Sequence, residues 1–365
     1  MPRKFKALAI GDAMIQGDAF EASLKARLGP YVDDLRVGDW ETDWDRLQTR
    51  RLVVEKQGPE VEIVEPLILE QGGDAELLSG LFLAISSKVM DAMPKLRIAG
   101  VARAGVENVN VKEATARGIL VFNVMGRNAE AVSDFAVGLI LAESRNIARA
   151  HMAIKNGVWR KKFSNSACVP ELKGKTVGLF GFGFIGRRVA RKLSGFDVNL
   201  LVHDTYVDPA EIEAIGGKAV DKETLLREAD FISLHARLLP GGVPLIGASD
   251  FALMKPTAYI VNTARAGLVD QKALVEALKS GRIAGAGLDV HPTEPIDPAS
   301  EILELDNVTL TTHIAGTTRE ALTRSPDLLF DDIAKLFAGD RPVGIANPEV
   351  LQDAGFEAWL KGVRQ

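Results

Sequence analysis

The chain has 365 residues, 47% of them hydrophobic and 25% charged, with a net charge of −5 at neutral pH. That length carries two domains with full cores, and the mild acidity argues against nucleic acid as the main partner. A single cysteine, Cys168, excludes an internal disulfide or a thiolate metal cluster. The basic start, Met1 to Lys6, has no long apolar stretch behind it, so no signal peptide is expected. The longest apolar runs, such as Phe135 to Ala142, are too short to span a bilayer, and a cytoplasmic location is expected.

In chain order, Ala7 to Ile10 reads as a first strand, followed by a helix near Phe20 to Leu28 and a second strand over Leu35 to Gly38. Glu41 to Pro66 is charged and lacks a clear period. Ala75 to Ala84 and Val89 to Met93 alternate between helix and strand patterns, Lys95 to Val101 is a good strand, and Ile119 to Phe122 closes a small α/β unit. A long helical pattern runs from about Ala129 to Asn156, with Ala131, Phe135, Leu139 and Ala142 as its apolar face. Asn156-Gly157 is its stop, and residues 157–172 are irregular.

From Lys175 onward the alternation is regular. Strands are expected at 176–180, 198–203, 218–220, 230–235, 258–263, 285–290 and 308–312, with helices between most of them. Asp208-Pro209-Ala210-Glu211 starts one of those helices, with an Asp cap and Pro in the first turn. Repeated strand–helix units specify a parallel, doubly wound sheet. Arg319 to Phe337 reads as one more helix, and residues 340–365 as a Pro- and Gly-containing tail with a short helical end.

Halfway along lies Gly181-Phe182-Gly183-Phe184-Ile185-Gly186, between the strand Thr176 to Phe180 and a helical run from Arg187 to Leu193. Gly181 allows the tight turn, Gly183 lets the backbone approach a diphosphate, and Gly186 lets helix and strand pack closely. The helix N-terminus then offers free N–H groups to the diphosphate. Asp204 ends the next apolar run, eighteen residues past Gly186. A carboxylate there accepts hydrogen bonds from ribose hydroxyls and repels a 2′-phosphate, so NAD is expected rather than NADP. More than 170 residues precede this turn, so another domain is built around the cofactor domain.

Three segments stand at the ends of later strands: Val261 to Gly267, Asp289 to Pro295 and Thr312 to Gly316. Ligands bind at the carboxyl ends of strands in such sheets. With the glycine turn, the runs NTARAGLVD at 262–270, Glu294-Pro295 and HIAG at 313–316 give the chain its likeness: from about Leu83 to Gly339 it resembles the D-isomer-specific 2-hydroxyacid dehydrogenases. The resemblance implies a Rossmann NAD domain, residues 125–317, inserted into a smaller flavodoxin-like α/β substrate domain of residues 1–124 plus 318–365. It implies Arg265, Glu294 and His313 as the catalytic trio. It points to Gly181, Gly183, Phe184, Ile185, Gly186, Asp204, His235, Thr263, Ala264, Asp289, Ala315 and Gly316 around the cofactor. It places substrate contacts at Arg103, Ala104 and Gly105, within the loop Val101 to Val106, and at Arg265. It also implies that the arm at 152–174 makes a homodimer.

The chemistry of the trio stands independently. Arg265 has a planar fork that grips a carboxylate and polarises the adjacent carbonyl. His313 titrates near neutrality and exchanges a proton, and Glu294 orients the imidazole and favours its protonated form. The remaining histidines, His151, His203, His235 and His291, show no metal-ligand spacing, and no metal is expected. The sequence also departs from common members. Phe184 stands where many carry an arginine, Glu107-Asn108 follows a shortened turn, and His291-Pro292-Thr293 replaces an apolar-acidic run. Thr312 takes the place of a proline, and the loop Leu239 to Pro244 lacks its customary threonines. These leave the acid unnamed. Other hydride donors are alternatives: formate enzymes of this fold carry Gln at the position of Glu294, which disfavours formate, and phosphite stays open. A non-enzymatic NAD-sensing protein like the corepressors of this fold also stays open, though the chain lacks a long disordered tail.

Overall fold

The alternation of apolar runs and helical segments folds into two parallel sheets. The structure is a computed structural model that describes residues 3–238 and 241–364. It divides into two compact units, one of residues up to Arg127 together with those from Arg319 on, the other Asn128–Thr318.

The first unit holds strands β1 (Phe5–Asp12), β2 (Val32–Glu41), β3 (Leu77–Gly80), β4 (Ile98–Val101) and β5 (Leu120–Asn123). They lie in the order β2-β1-β3-β4-β5, all parallel. This is the flavodoxin-type order, whose direction reverses between β1 and β3. β3, β4 and β5 are buried along their whole length, as strands covered on both faces must be. Alternation along β1 sends Phe5, Ala7 and Ala9 to one face and Leu8 and Ile10 to the other.

The C-terminal residues complete the first of those faces. Leu329, Phe330, Ile333 and Phe337 from helix Ser325–Ala338, and Phe356, Trp359 and Val363 from helix Ala354–Arg364, pack with Phe5, Phe20 and Leu24. What reads as a tail is therefore part of the core. The Trp359 ring lies 5.8 Å from that of Phe5, and its Nε1–H donates to Glu76 Oε1 at 2.9 Å.

The second unit holds β6 (Thr176–Phe180), β7 (Asn199–His203), β8 (Lys218–Ala219), β9 (Phe231–Leu234), β10 (Tyr259–Asn262), β11 (Gly285–Leu288) and β12 (Val308–Leu310). Their order is β12-β11-β10-β9-β6-β7-β8, again all parallel. This is the doubly wound Rossmann arrangement expected from the alternation, and its order reverses between β6 and β9. Asp208 caps the helix Pro209–Glu213 through the N–H of Ala210, as its sequence specifies.

Two expected helices are broken. The pattern from Ala129 to Asn156 forms Ala129–Ser144 and then Ile147–Lys155, because Asn146 adopts a left-handed conformation with φ of 59°. Asparagine enters that region at low cost and stops one helix there. The pattern from Arg319 to Phe337 divides into Arg319–Thr323 and Ser325–Ala338. Pro326 in the first turn of the second helix lacks an N–H and clashes with the carbonyl four residues back, so one helix cannot run through it. The unassigned stretch after Glu41 contains helix Trp44–Gln57, capped by Asp43, of which only Leu47 and Val54 are buried. Among the described residues no helix is long and apolar enough to cross a membrane.

If helix Ala354–Arg364 is core rather than tail, Trp359→Ala lowers the stability of its unit by about 3–5 kcal/mol. Urea unfolding followed by far-UV circular dichroism measures this, and an unchanged midpoint contradicts it.

Candidate functional site

In the second unit the glycine turn follows β6 at the point where strand order reverses. Gly181 has φ of +95°, and a Cβ there would lie 2.7 Å from the backbone of His235 and Ala236. A Cβ at Gly186 would lie 2.2 Å from the Gly181 carbonyl oxygen. Both positions therefore require glycine, one for conformation and both for close approach. Around Gly183 a Cβ would meet nothing within 4 Å, so the backbone there faces open space. Helix Phe184–Leu193 begins with no side-chain cap, leaving its first N–H groups directed outward. Phe184 is exposed at this end. Arg187 lies over the Phe182 ring and pairs with Glu211 at 2.8 Å.

Asp204 follows β7 and ties the turn down. Its Oδ2 accepts from Phe182 N at 2.7 Å, and its Oδ1 from Tyr206 N at 2.7 Å and Val207 N at 3.1 Å. His235 follows β9. The residue is only partly buried, yet both ring nitrogens are shielded and have no hydrogen-bond partner. Burial pushes its pKa down to about 4, so the ring is neutral at physiological pH. Thr263 Oγ1 is likewise buried and unpartnered.

The ends of β10, β11 and β12 carry the expected trio. Asn262 shapes the first: its Oδ1 accepts from Ala264 N and its Nδ2 donates to the Arg265 carbonyl. Arg265 is thereby held in an extended conformation. Its side chain is exposed, donates to the Ala264 carbonyl at 2.8 Å, and makes no ion pair with any described residue. Asp289, fully buried after β11, accepts from Thr311 Oγ1 at 2.6 Å, Ile314 N at 3.0 Å and Ala315 N at 2.9 Å. These bonds close the turn after β12 and hold His313 at φ of 57°, in the left-handed region. Gly316 packs against Asn128, whose Nδ2 would lie 2.4 Å from an added Cβ.

His313 Nδ1 and Glu294 Oε2 are 2.8 Å apart. Glu294 Oε1 accepts from the His291 backbone N–H at 3.0 Å. Partial burial pushes the Glu294 carboxyl up, but the hydrogen bonds from His313 and the His291 N–H, with the two nearby imidazoles, outweigh it and hold the carboxyl below its usual value. An ionised Glu294 accepts a hydrogen bond from Nδ1–H, leaving Nε2 as the nitrogen available to a ligand. His291 Nε2 contacts the Thr311 carbonyl at 2.8 Å and so staples the Glu294 loop to the His313 loop. Sequence reasoning passed over His291 and Thr311 as supports, since both act through main-chain atoms about twenty residues away. Of the loop Leu239 to Pro244, Leu239 and Pro240 lie outside the described residues.

In the first unit Ala104 and Gly105 sit after β4, and their N–H groups donate to no described residue. Asn123 Nδ2 fixes the loop through the Ala104 carbonyl at 2.5 Å. Arg103 is engaged with Glu55 at 2.8 Å and Glu107 at 3.1 Å. Ser86 caps a helix, while Ser87 and Lys88 bond Glu60, so these three are occupied locally.

A glycine turn with open space before a helix N-terminus, a carboxylate after the second strand of the Rossmann unit and an imidazole–carboxylate pair define a nucleotide-dependent oxidoreductase. Comparison with known proteins gives the family. Residues 137–315 match the model of the D-isomer specific 2-hydroxyacid dehydrogenase, NAD binding domain. A glyoxylate reductase of Thermofilum pendens is 41% identical over 271 residues, 73% of this chain and 80% of that protein. A D-3-phosphoglycerate dehydrogenase of Archaeoglobus fulgidus is 37% identical over 308 residues, 83% of this chain but 58% of that longer protein. The apo-structure of D-lactate dehydrogenase from Escherichia coli aligns over 93% of this chain and 99% of its own, with 26% identity and a TM-score of 0.66. The NAD-complexed D-isomer specific 2-hydroxyacid dehydrogenase of Lactobacillus delbrueckii shares the fold, with a TM-score of 0.73 at 23% identity over 94% of this chain and 100% of that one.

The chain belongs to the D-isomer specific 2-hydroxyacid dehydrogenases and is an NAD-dependent oxidoreductase of that type. Its own residues suit the cofactor: the space at Gly183 is open, the helix N–H groups are uncapped, and the buried polar atoms of His235 and Thr263 lack partners.

The His235 imidazole makes acid stability testable. Unfolded, it takes a proton near 6.5; folded, only at about 4. The unfolded state therefore binds more protons between those values, and stability falls as pH drops through that window. His235→Asn should remove up to about 3 kcal/mol of that acid loss, read from urea unfolding at pH 7 and pH 4.5. Parallel profiles for the two proteins would rule the imidazole out as their source.

Proposed function

We propose that the chain interconverts a D-2-hydroxy acid and its 2-oxo acid, with His313 as acid and base. The observation that carries this is the His313–Glu294 pair at 2.8 Å, together with an Arg265 that makes no ion pair with any described residue. In oxidation, His313 Nε2 takes the hydroxyl proton as the C2–H hydride leaves; in reduction it returns that proton to the carbonyl oxygen. NAD, when bound, takes or supplies the hydride. Glu294 stabilises the imidazolium formed. Arg265 grips the substrate carboxylate with its fork and polarises the neighbouring C–O bond. Glu294, poised on an imidazole, weighs against a hydride donor that needs no proton transfer.

In this reading, residues 1–124 with 318–365 serve as the substrate domain and 125–317 as the cofactor domain. The glycine turn, Phe184 and Ile185 receive the diphosphate, and Asp204 the adenosine ribose. His235, Thr263, Ala264, Asp289, Ala315 and Gly316 surround the nicotinamide end, Asp289 by shaping the turn rather than through free oxygens. A homodimer is supported by helix Ile147–Lys155, which buries none of its side chains, and by the exposed Met152, Ile154, Val158 and Trp159, the last 78% accessible. A cytoplasmic setting accords with the one exposed free thiol, Cys168.

The test is formation of NADH from D-2-hydroxy acids. His313→Asn should cut turnover about 10²–10⁴-fold while NADH binding, followed by fluorescence, stays within about twofold. Retained turnover would remove His313 from the proton path. For the cofactor, Asp204→Ala should narrow the preference for NAD over NADP by roughly tenfold in kcat/KM; a wild-type enzyme that already prefers NADP overturns the role of Asp204.

A further inference from the structure

The His313–Glu294 pair lies open to water. The imidazole side chain is 48% exposed and the carboxylate 33%. Water screens an ion pair so placed, and its own attraction then fixes little geometry. The pair must therefore be held from outside. His313 stands at φ of 57°, and Thr312 before it is exposed and has no ring to fix its backbone.

His291 reaches both sides of the pair. Its backbone N–H donates to Glu294 Oε1 at 3.0 Å, and its ring Nε2 lies 2.8 Å from the Thr311 carbonyl oxygen. A carbonyl only accepts, so Nε2 carries the hydrogen. No other donor reaches that carbonyl among the described residues. Thr311 is otherwise tied through its N–H to the Leu288 carbonyl at 2.9 Å and through Oγ1 to Asp289 at 2.6 Å. The bonds close a ring. It runs from the His291 backbone to Glu294, across to His313, back along the chain to Thr311 and into the His291 imidazole. The other ionisable groups around it are Asp289, which holds the turn through Ile314 and Ala315, and Arg265 at the end of neighbouring β10, which makes no ion pair with any described residue. An apolar side chain at position 291 would keep the backbone bond to Glu294 and lose the one to Thr311.

We propose that His291 is a positioning residue for proton transfer: its Nε2–H, by holding the Thr311 carbonyl, keeps His313 Nδ1 on the Glu294 carboxylate. This rests on the dehydrogenase reading above. In this role His291 touches neither the acid nor the cofactor, and what it supplies is a donor rather than a charge. A glutamine amide reaches about as far as the imidazole Nε2 and can replace it; leucine cannot.

The whole protein, isotope-labelled at histidine Cε1, reports the titration of each ring by NMR, and His313→Asn identifies the His313 signal. A carboxylate in contact favours the imidazolium, so loosening the pair lowers the His313 pKa. In His291→Leu that pKa should fall by about 0.5–1. Its kcat for oxidation of a D-2-hydroxy acid should fall about tenfold with KM within about threefold, since orientation and not binding is lost. His291→Gln, which restores the donor, should recover both. If His291→Leu does not fold, His291→Asn, whose amide is too short for the Thr311 carbonyl, should show the same losses. A His313 titration left unmoved by the loss of the donor overturns the proposal, whatever happens to stability. Equal shifts in the Leu and Gln variants trace the effect to the imidazole's charge and overturn it as well, as does a shifted titration with unchanged kcat. No turnover of any 2-hydroxy acid by the wild type overturns the dehydrogenase reading, while the titrations still decide whether His291 holds the pair.

Discussion

The buried carboxylate of Asp289 accepts three hydrogen bonds from residues 22 to 26 positions further along, at Thr311, Ile314 and Ala315. Its own N–H donates to the Asn262 carbonyl at 3.0 Å, and Asn262 in turn shapes the turn that carries Arg265. One residue thus joins the ends of three neighbouring strands, β10, β11 and β12. A non-glycine residue in the left-handed region costs about 1–2 kcal/mol. Three bonds to a charged acceptor outweigh that, so His313 stays in a conformation it would not choose alone. The pairing of His313 with Glu294 depends on that geometry, as does the second brace between His291 and Thr311.

Hydrogen bonding is satisfied where the fold needs rigidity and left incomplete at particular places. Asp204, Asp289 and Asn262 each spend their polar atoms on the backbone and make turns stiff. By contrast, His235, Thr263 and Arg103 keep buried polar atoms without partners. Native proteins leave few such atoms. His235 follows β9, one of the two strands between which the order of its sheet reverses, where parallel sheets receive ligands.

What the sequence discloses depends on how local the cause is. The glycine turn is legible because Gly181 and Gly186 are required by atoms within the same strand–turn–helix unit or the neighbouring strand. Strands such as β4, β5, β9 and β10 are legible because they are buried along their whole length and read as apolar runs. Helix Trp44–Gln57 is not, since two buried residues a double turn apart give no period to detect. The break at Asn146 is hidden because the apolar pattern continues beyond it onto a helix that buries nothing. The bracing by Asp289 is invisible for a different reason: it is defined by groups more than twenty residues further along the chain.

The first unit is made from two segments that flank the second in sequence, and this has a consequence for synthesis. Phe5, Phe20 and Leu24 leave the ribosome some three hundred residues before the residues that cover them, Phe330, Phe337, Phe356 and Trp359. The unit between them, Asn128–Thr318, is continuous and has all of its own strands available before those residues emerge. The nascent chain therefore carries an open apolar sheet face until the later segment emerges, while the intervening unit is free to fold. Closure of the sheet face by the earlier segment waits for the later one, and during that interval its apolar residues are open to aggregation and to chaperones.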